Sequence, residues 1–202
     1  MIIPEEIVNK SDYKACADFH GHVCMGLTLG YMAAHLAMRH LKEKRALDEE
    51  LICITETDAC CCDAIQVLTG CTFGKGNLLY RDIGKMAFTF GSRSTGVGVR
   101  IAMRPGVMDA PAHEIALAEK IRSGGADSDE IKTYEHLAES RSKKLFDDGP
   151  EAFFIVEDTD ISLPAKAQMA PSHLCDGCHE PVMMTKLEEF NEKKLCRDCL
   201  QK

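Results

Sequence analysis

Residues 71–104, CTFGKGNLLYRDIGKMAFTFGSRSTGVGVRIAMR, decide the fold class. They contain three strand-like runs: CTF at 71–73, KMAFTF at 85–90 and STGVGVRIAM at 94–103. Gly74, Lys75, Gly76 and Asn77 supply the turn chemistry between runs. Upstream, residues 51–57 (LICITET) show β-branched alternation and predict an earlier strand; downstream, Phe153, Phe154, Ile155 and Val156 predict a last one. Helical patterns flank these runs. Residues 4–19 open with Pro4, Glu5 and Glu6, which suit a first turn. Residues 24–44, 63–69 (with Gly70 as C-cap), 111–123 and 127–146 are also helical by pattern. Strands and helices come in separate runs, not in regular βαβ units, and no internal repeat is visible. The expectation is an α+β core domain with an antiparallel or mixed sheet and packed helices.

The helix over 24–44 has two faces. Met25, Leu29, Met32, Leu36 and Leu41 lie near one stripe, while Gly26, Gly30, Ala33, Ala34 and Ala37 form a face of small residues. Such a face admits a closely approaching backbone, and a second subunit is the expected source.

Composition narrows the function classes. The 202 residues are 45% apolar and 28% charged, enough for one hydrophobic core plus a small appendage. The formal charge is −8. From Lys166 to Lys202 six Lys/Arg balance six Asp/Glu, so the whole excess lies on the first 165 positions. An acidic chain is a poor default partner for phosphate backbones. Residues 23–41 are mostly apolar but contain His35 and Arg39, so they predict a buried helix and no membrane span. The opening MIIPEEIVNKSDYKAC lacks the basic and apolar regions of a signal peptide, which predicts a cytoplasmic protein. In a reducing compartment, eleven clustered cysteines favour metal binding over a disulfide framework.

Cys175-Asp-Gly-Cys178 and Cys196-Arg-Asp-Cys199 are separated by seventeen residues. Two knuckles of this spacing supply the vertices of a tetrahedral zinc site, and Gly177 permits the tight turn of the first. A unit this short cannot build an adequate core alone, so the metal must supply much of its folding free energy. The expectation is a small four-cysteine zinc finger (a zinc ribbon or treble clef) over 166–202, joined by a linker at 162–168 to the domain at 1–165. A closed four-sulfur site is structural. His173 and His179 flank it as solvent-facing polar residues.

A second constellation lies near the start. His20-Gly-His22-Val-Cys24 opens the long helix with three possible ligands in five residues. His20 and Cys24 share a face if the helix begins early, and a helix N-terminus favours a thiolate. Cys60-Cys61-Cys62-Asp63 follows the 51–57 strand, where polar functional groups often collect. Three adjacent cysteines cannot all point one way. Asp63 suits either a helix N-cap or a functional role. Two tempting motifs fail: the loop at 70–76 is one residue short of a phosphate loop and has Gly76 in place of Ser/Thr, and His113-Glu114 lacks the second histidine of a zinc protease, with Leu117 in its place.

HGHVCMGLTLGYMAA, CCCDAIQVLTGCTFGKGN and the C-terminal finger together resemble the FmdE family of formylmethanofuran dehydrogenase-associated proteins, from about residue 13 to the end. The resemblance implies an intertwined α+β homodimer with a C-terminal zinc finger. The family name reflects operon association with a molybdenum enzyme and implies no activity by itself. Met25 stands where the family usually has proline. The pattern makes Cys60 the motif cysteine, leaves Cys61 and Cys62 as packing residues, and brings Gln66 and Lys75 to the same pocket.

These readings converge on a metal-binding protein. A second transition metal in the core is expected at some of His20, His22, Cys24 and Cys60, with Asp63 and Lys75 as catalytic candidates for acid/base work or anion contact on a small molecule. Fewer than four protein ligands would leave a coordination position open. The alternative is a regulatory or adaptor protein whose neutral finger contacts a protein partner, with nucleic acid less favoured.

Overall fold

The computed structural model describes residues 3–161, 163–167 and 169–201. The chain divides into two compact units, Met1–Lys166 and Ala167–Lys202. Both ends of the linker expected at 162–168 fall outside the described residues.

The first helical pattern is two helices. α1 (Glu5–Val8) stops at Asn9, Lys10 is extended, and α2 (Ser11–His20) follows. Gly21 then terminates α2 in the left-handed region at φ 94°, its N–H donating to the Ala17 carbonyl at 2.8 Å. α3 (Met25–Leu41) starts afresh, with Cys24 as its N-cap. β1 (Leu51–Thr55), α4 (Cys61–Thr69) and β2 (Leu78–Tyr80) come next. Then follow β3 (Ala87–Ser92), β4 (Val97–Met103), α5 (Ala112–Arg122), α6 (Ser128–Asp147), α7 (Pro150–Phe153) and β5 (Phe154–Asp160).

The five strands form one mixed sheet in the order β2-β1-β3-β4-β5. β1 and β2 are parallel, and all other pairs are antiparallel. Two expectations are corrected here. Residues 71–73 form no strand: Asn77 is fully buried and its Oδ1 accepts from the Thr72 N–H at 2.9 Å, which folds 72–77 into a loop and delays the strand to Leu78. β1-α4-β2 is also a βαβ unit, hidden from a pattern reading because its helix has nine residues and its second strand three.

α3 lies against β3 and β4. Leu29, Met32, Ala33, Leu36 and Ala37 meet Leu51, Cys53, Phe88, Phe90, Val99 and Ile101 in one buried cluster. At Gly26 and Gly30 the small-residue face of α3 meets Cys60 and Cys61 at the start of α4 in the same chain. A Cβ at Gly30 would lie 2.1 Å from the Cys61 carbonyl oxygen, so only glycine permits this crossing. The close approach expected from a second subunit is therefore made within the chain at Gly30.

α5 and α6 pair with each other, and α6 also meets α7. α5 buries only Glu114, whose carboxylate takes Arg141 at 3.0 Å. A capping box of Asp127 and Glu130 fixes the start of α6. Among the described residues, no helix is long and apolar enough to cross a membrane.

Among its described residues the second unit has two hairpins, a 3-10 turn at Met184–Lys186 and a short α-helix. β6 (Ser172–Leu174) pairs with β7 (Pro181–Met183), β8 (Glu188–Phe190) pairs with β9 (Lys193–Leu195), and α8 (Arg197–Leu200) closes it.

Candidate metal centres

The C-terminal cysteines converge. The sulfurs of Cys175, Cys178, Cys196 and Cys199 all lie within 4.8 Å of one another. A tetrahedron with Zn–S bonds of ~2.3 Å needs sulfurs ~3.8 Å apart. The pair Cys178–Cys196 stands at 4.0 Å. Cys175 is buried, and its sulfur accepts the N–H groups of Gly177 at 3.4 Å and Cys196 at 3.2 Å. Backbone donors, first that of Cys178 and then that of Cys196, hold the Cys175 thiol down at about 6, so it is prepared to ligate as thiolate. A Cβ at Gly177 would meet the Cys199 sulfur at 2.9 Å, so the glycine serves ligand packing as well as the turn. His173 and His179 are exposed and outside the cluster.

The second centre is assembled from three elements. His20 closes α2, Cys24 caps α3, and Cys60 is the N-cap residue of α4. One ligand atom from each lies within 4.8 Å of the others, with Cys24 Sγ 3.8 Å from His20 Nε2. His20 and Cys24 do not share a helix face, because Gly21 breaks the helix between them. A reversal through Gly21 returns the chain toward α2. The Cys24 sulfur accepts the Leu27 N–H at 3.3 Å. Gly26 keeps the sulfurs close: a Cβ there would stand 3.2 Å from Cys60 Cβ and 3.9 Å from Cys24 Sγ. Burial pushes the Cys60 thiol up, and its hydrogen bond with Cys24 adds to this. A cation between the sulfurs would reverse that preference.

Asp63 is not the N-cap, since α4 begins two residues before it. Its Oδ2 lies 2.7 Å from His20 Nδ1, and its Oδ1 receives Gln66 Nε2 at 3.4 Å. Gln66 Oε1 in turn accepts the Phe73 N–H at 3.2 Å. Asp63 thus fixes the histidine with Nε2 directed at the sulfurs, as carboxylates behind metal-bound imidazoles do.

Two candidates sit elsewhere. His22 is exposed and outside the cluster, its ring tilted against that of His20 with centroids 4.5 Å apart. Lys75 donates from Nζ to the carbonyls of Asp48 at 2.8 Å and Ala46 at 3.4 Å, so its ammonium pins the 46–48 segment. Asn77 does the same through Asp48 and Leu51. Of the neighbouring cysteines, Cys61 is buried against α3, while Cys62 donates to the Thr57 carbonyl at 3.1 Å. No pattern in the chain marks the His20–Asp63 pair beyond the presence of both residues, because 43 positions separate them.

Residues 19–155 match the family described as FmdE, Molybdenum formylmethanofuran dehydrogenase operon. The chain belongs to the FmdE family. In this FmdE protein residues 171–202 also match the prokaryotic dksA/traR C4-type zinc finger. An Archaeoglobus fulgidus protein described as a probable S-adenosyl-L-methionine-binding protein is 30% identical over 190 residues, covering 90% of this chain. The chain spans 50% of that relative's length. A crystal structure of a tungsten formylmethanofuran dehydrogenase FmdE-like protein from Syntrophus aciditrophicus has the same fold, with a TM-score of 0.63 at 24% identity over 98% of this chain and 97% of that one. An FmdE domain joined to a four-cysteine finger makes this a metal-binding protein with a structural zinc site.

Proposed function

We propose that this FmdE protein is a metal-dependent enzyme, or the accessory of one, that acts on a small molecule at the His20–Cys24–Cys60 centre. The observation that carries the reading is the Asp63–His20–sulfur chain, in which a carboxylate orients an imidazole toward two cysteine sulfurs. The donor set suits zinc or another late transition metal. Three protein ligands leave a position for an exogenous group, whereas four close the finger site. A bound metal would supply Lewis acidity. The chain's own residues would orient His20 through Asp63 and hold the proton on Nδ1.

The A. fulgidus relative's description makes S-adenosyl-L-methionine one candidate for the small molecule. A cytoplasmic location fits eleven cysteines of which none is in a disulfide. A homodimer fits the α5–α6 pair, which buries little of its apolar surface within the chain. The finger supports a second reading, an adaptor that contacts protein: it is neutral and exposes Leu174 (61%) and Phe190 (57%).

Metal analysis of the full-length protein tests the main reading. The expected result is two equivalents per chain, with one lost in His20→Ala and the other in Cys196→Ser. A single equivalent, unaffected by His20→Ala, would remove the core centre.

A further inference from the structure

The parallel strands β1 and β2 both end at a cavity of about 220 Å3. It is lined by Thr55 at the end of β1, Tyr80 at the end of β2, Cys62 in the first turn of α4, and Asp58, Phe73 and Leu78. Carboxyl ends of parallel strands are where ligands of such units collect. None of the three core-metal ligands lines this cavity.

Its walls and charge define a ligand class. The interior is apolar and aromatic. Phe73 is 84% exposed and Tyr80 49%, although the loop that carries Phe73 is fixed through Gln66. The charge at the rim is negative. The Tyr80 hydroxyl donates to Asp82 at 2.9 Å, and this bond, with Asp58 also acting on the ring, pushes the phenol up to about 12. An anion finds little here, because the Ala59, Cys62 and Asp63 amides at the start of α4 are already used by Thr57 Oγ1 and by the carbonyls of Ala59 and Cys60. A bare metal ion finds no three-ligand cluster among the described residues of the rim. A cation with an apolar periphery matches both features, since aromatic faces and carboxylates each attract it while its methyl groups fill the apolar space.

We propose that this cavity binds a small methylated organic cation, an N-trimethylammonium or S-methylsulfonium group, between Phe73 and Tyr80 with Asp58 at its rim. The site does not depend on the core metal. Calorimetric titration of the full-length protein tests it with two matched pairs: choline against its neutral isostere 3,3-dimethylbutan-1-ol, and S-methylmethionine against methionine. The cation should bind at least about fivefold more tightly in one pair, and that pair identifies the ammonium or the sulfonium source. Phe73→Ala and Asp58→Asn alter exposed side chains and should each weaken binding about threefold or more, with unchanged thermal melting. Equal binding within both pairs, no binding of either cation, or unaltered affinity in both variants would overturn the proposal. Core-metal content measured on the same samples keeps the two readings separable: metal without cation binding removes only this site, and cation binding without core metal removes only the metal centre.

Discussion

His20 and Asp63 stand 43 residues apart in the chain, and their Nδ1 and Oδ2 atoms lie 2.7 Å apart in the fold. The contact ties the end of α2 to the first turn of α4. Loss of a partner that orients a metal ligand in this way typically costs 10–100-fold in metal affinity. Asp63→Ala should therefore weaken binding of the proposed core metal by about 10–100-fold in chelator competition, with finger zinc retained. Asp63→Asn, which still accepts a hydrogen bond, should recover part of that loss. A metal affinity within about twofold of wild type in Asp63→Ala would show that the pair has no bearing on the metal.

The Gly30 crossing sets the distance between α3 and α4, and with it the meeting of Cys24 and Cys60. Gly30→Ala places a methyl 2.1 Å from the Cys61 carbonyl oxygen, against backbone that cannot rotate away. We expect a loss of about 2–3 kcal/mol in stability, at the upper end of overpacking effects, by denaturant unfolding. Gly26→Ala meets Cys60 Cβ at 3.2 Å, a closer match to what a small side-chain shift can absorb. It should cost less stability and act mainly on core-metal affinity. An order opposite to this would mean the helices are free to separate.

Asp12 links α2 to α3. Burial raises the energy of its carboxylate, but the Tyr31 hydroxyl at 3.1 Å and His35 Nε2 at 2.9 Å outweigh this and hold its pKa below the usual 3.8. A depressed carboxylate contributes stability above its unfolded pKa and loses it as pH falls through the folded value. The contribution should be present at neutral pH and disappear below about pH 4. The side chain is 40% exposed, which limits the effect to under about 1 kcal/mol. Wild type should lose more stability than Asp12→Asn between neutral pH and pH ~3. Parallel curves for the two proteins would contradict the assignment.

Much of this architecture is legible in the sequence where a local rule governs. Gly70 ends α4, as its position after a short helical pattern requires, and the finger cysteines meet because spacing alone brings CxxC knuckles together. What escapes a pattern reading depends on non-local partners. The 71–73 run has strand composition, but buried Asn77 captures the Thr72 amide for a loop. Lys75 looks chemical in a glycine-rich loop, yet its ammonium satisfies two carbonyls 27 and 29 residues away. His20 and Cys24 have helical spacing, but the left-handed Gly21 separates them into two helices and still brings them together by reversing the chain.

The α5–α6 pair gives an association prediction. Ile115 and Ile131 are 47% and 38% exposed, and α5 buries no apolar side chain. A pair of helices so sparsely covered fits the proposed homodimer, in which a second copy of the chain would cover it. Sedimentation at micromolar concentration should give twice the 22.3 kDa chain mass, and Ile115→Glu should shift it toward monomer. A wild-type monomer would remove the proposed homodimer.

The finger should fold on its metal and not on its core. Among its described residues only Cys175 and Leu195 are buried, far too little apolar surface to offset the conformational entropy of about 36 residues. Zinc binding releases about 10–16 kcal/mol in comparable sites, enough to account for folding of the unit. Cys196→Ser removes one sulfur and leaves its partner Cys178 without its 4.0 Å neighbour. In that variant, hydrogen exchange should rise to unprotected rates across residues 172–200, while β1, β3 and β4 remain protected. Chelation of zinc from the wild type should produce the same pattern, and readdition should reverse it. If β3 and β4 lose protection together with the finger, the two units fold as one and the metal stabilises the whole chain.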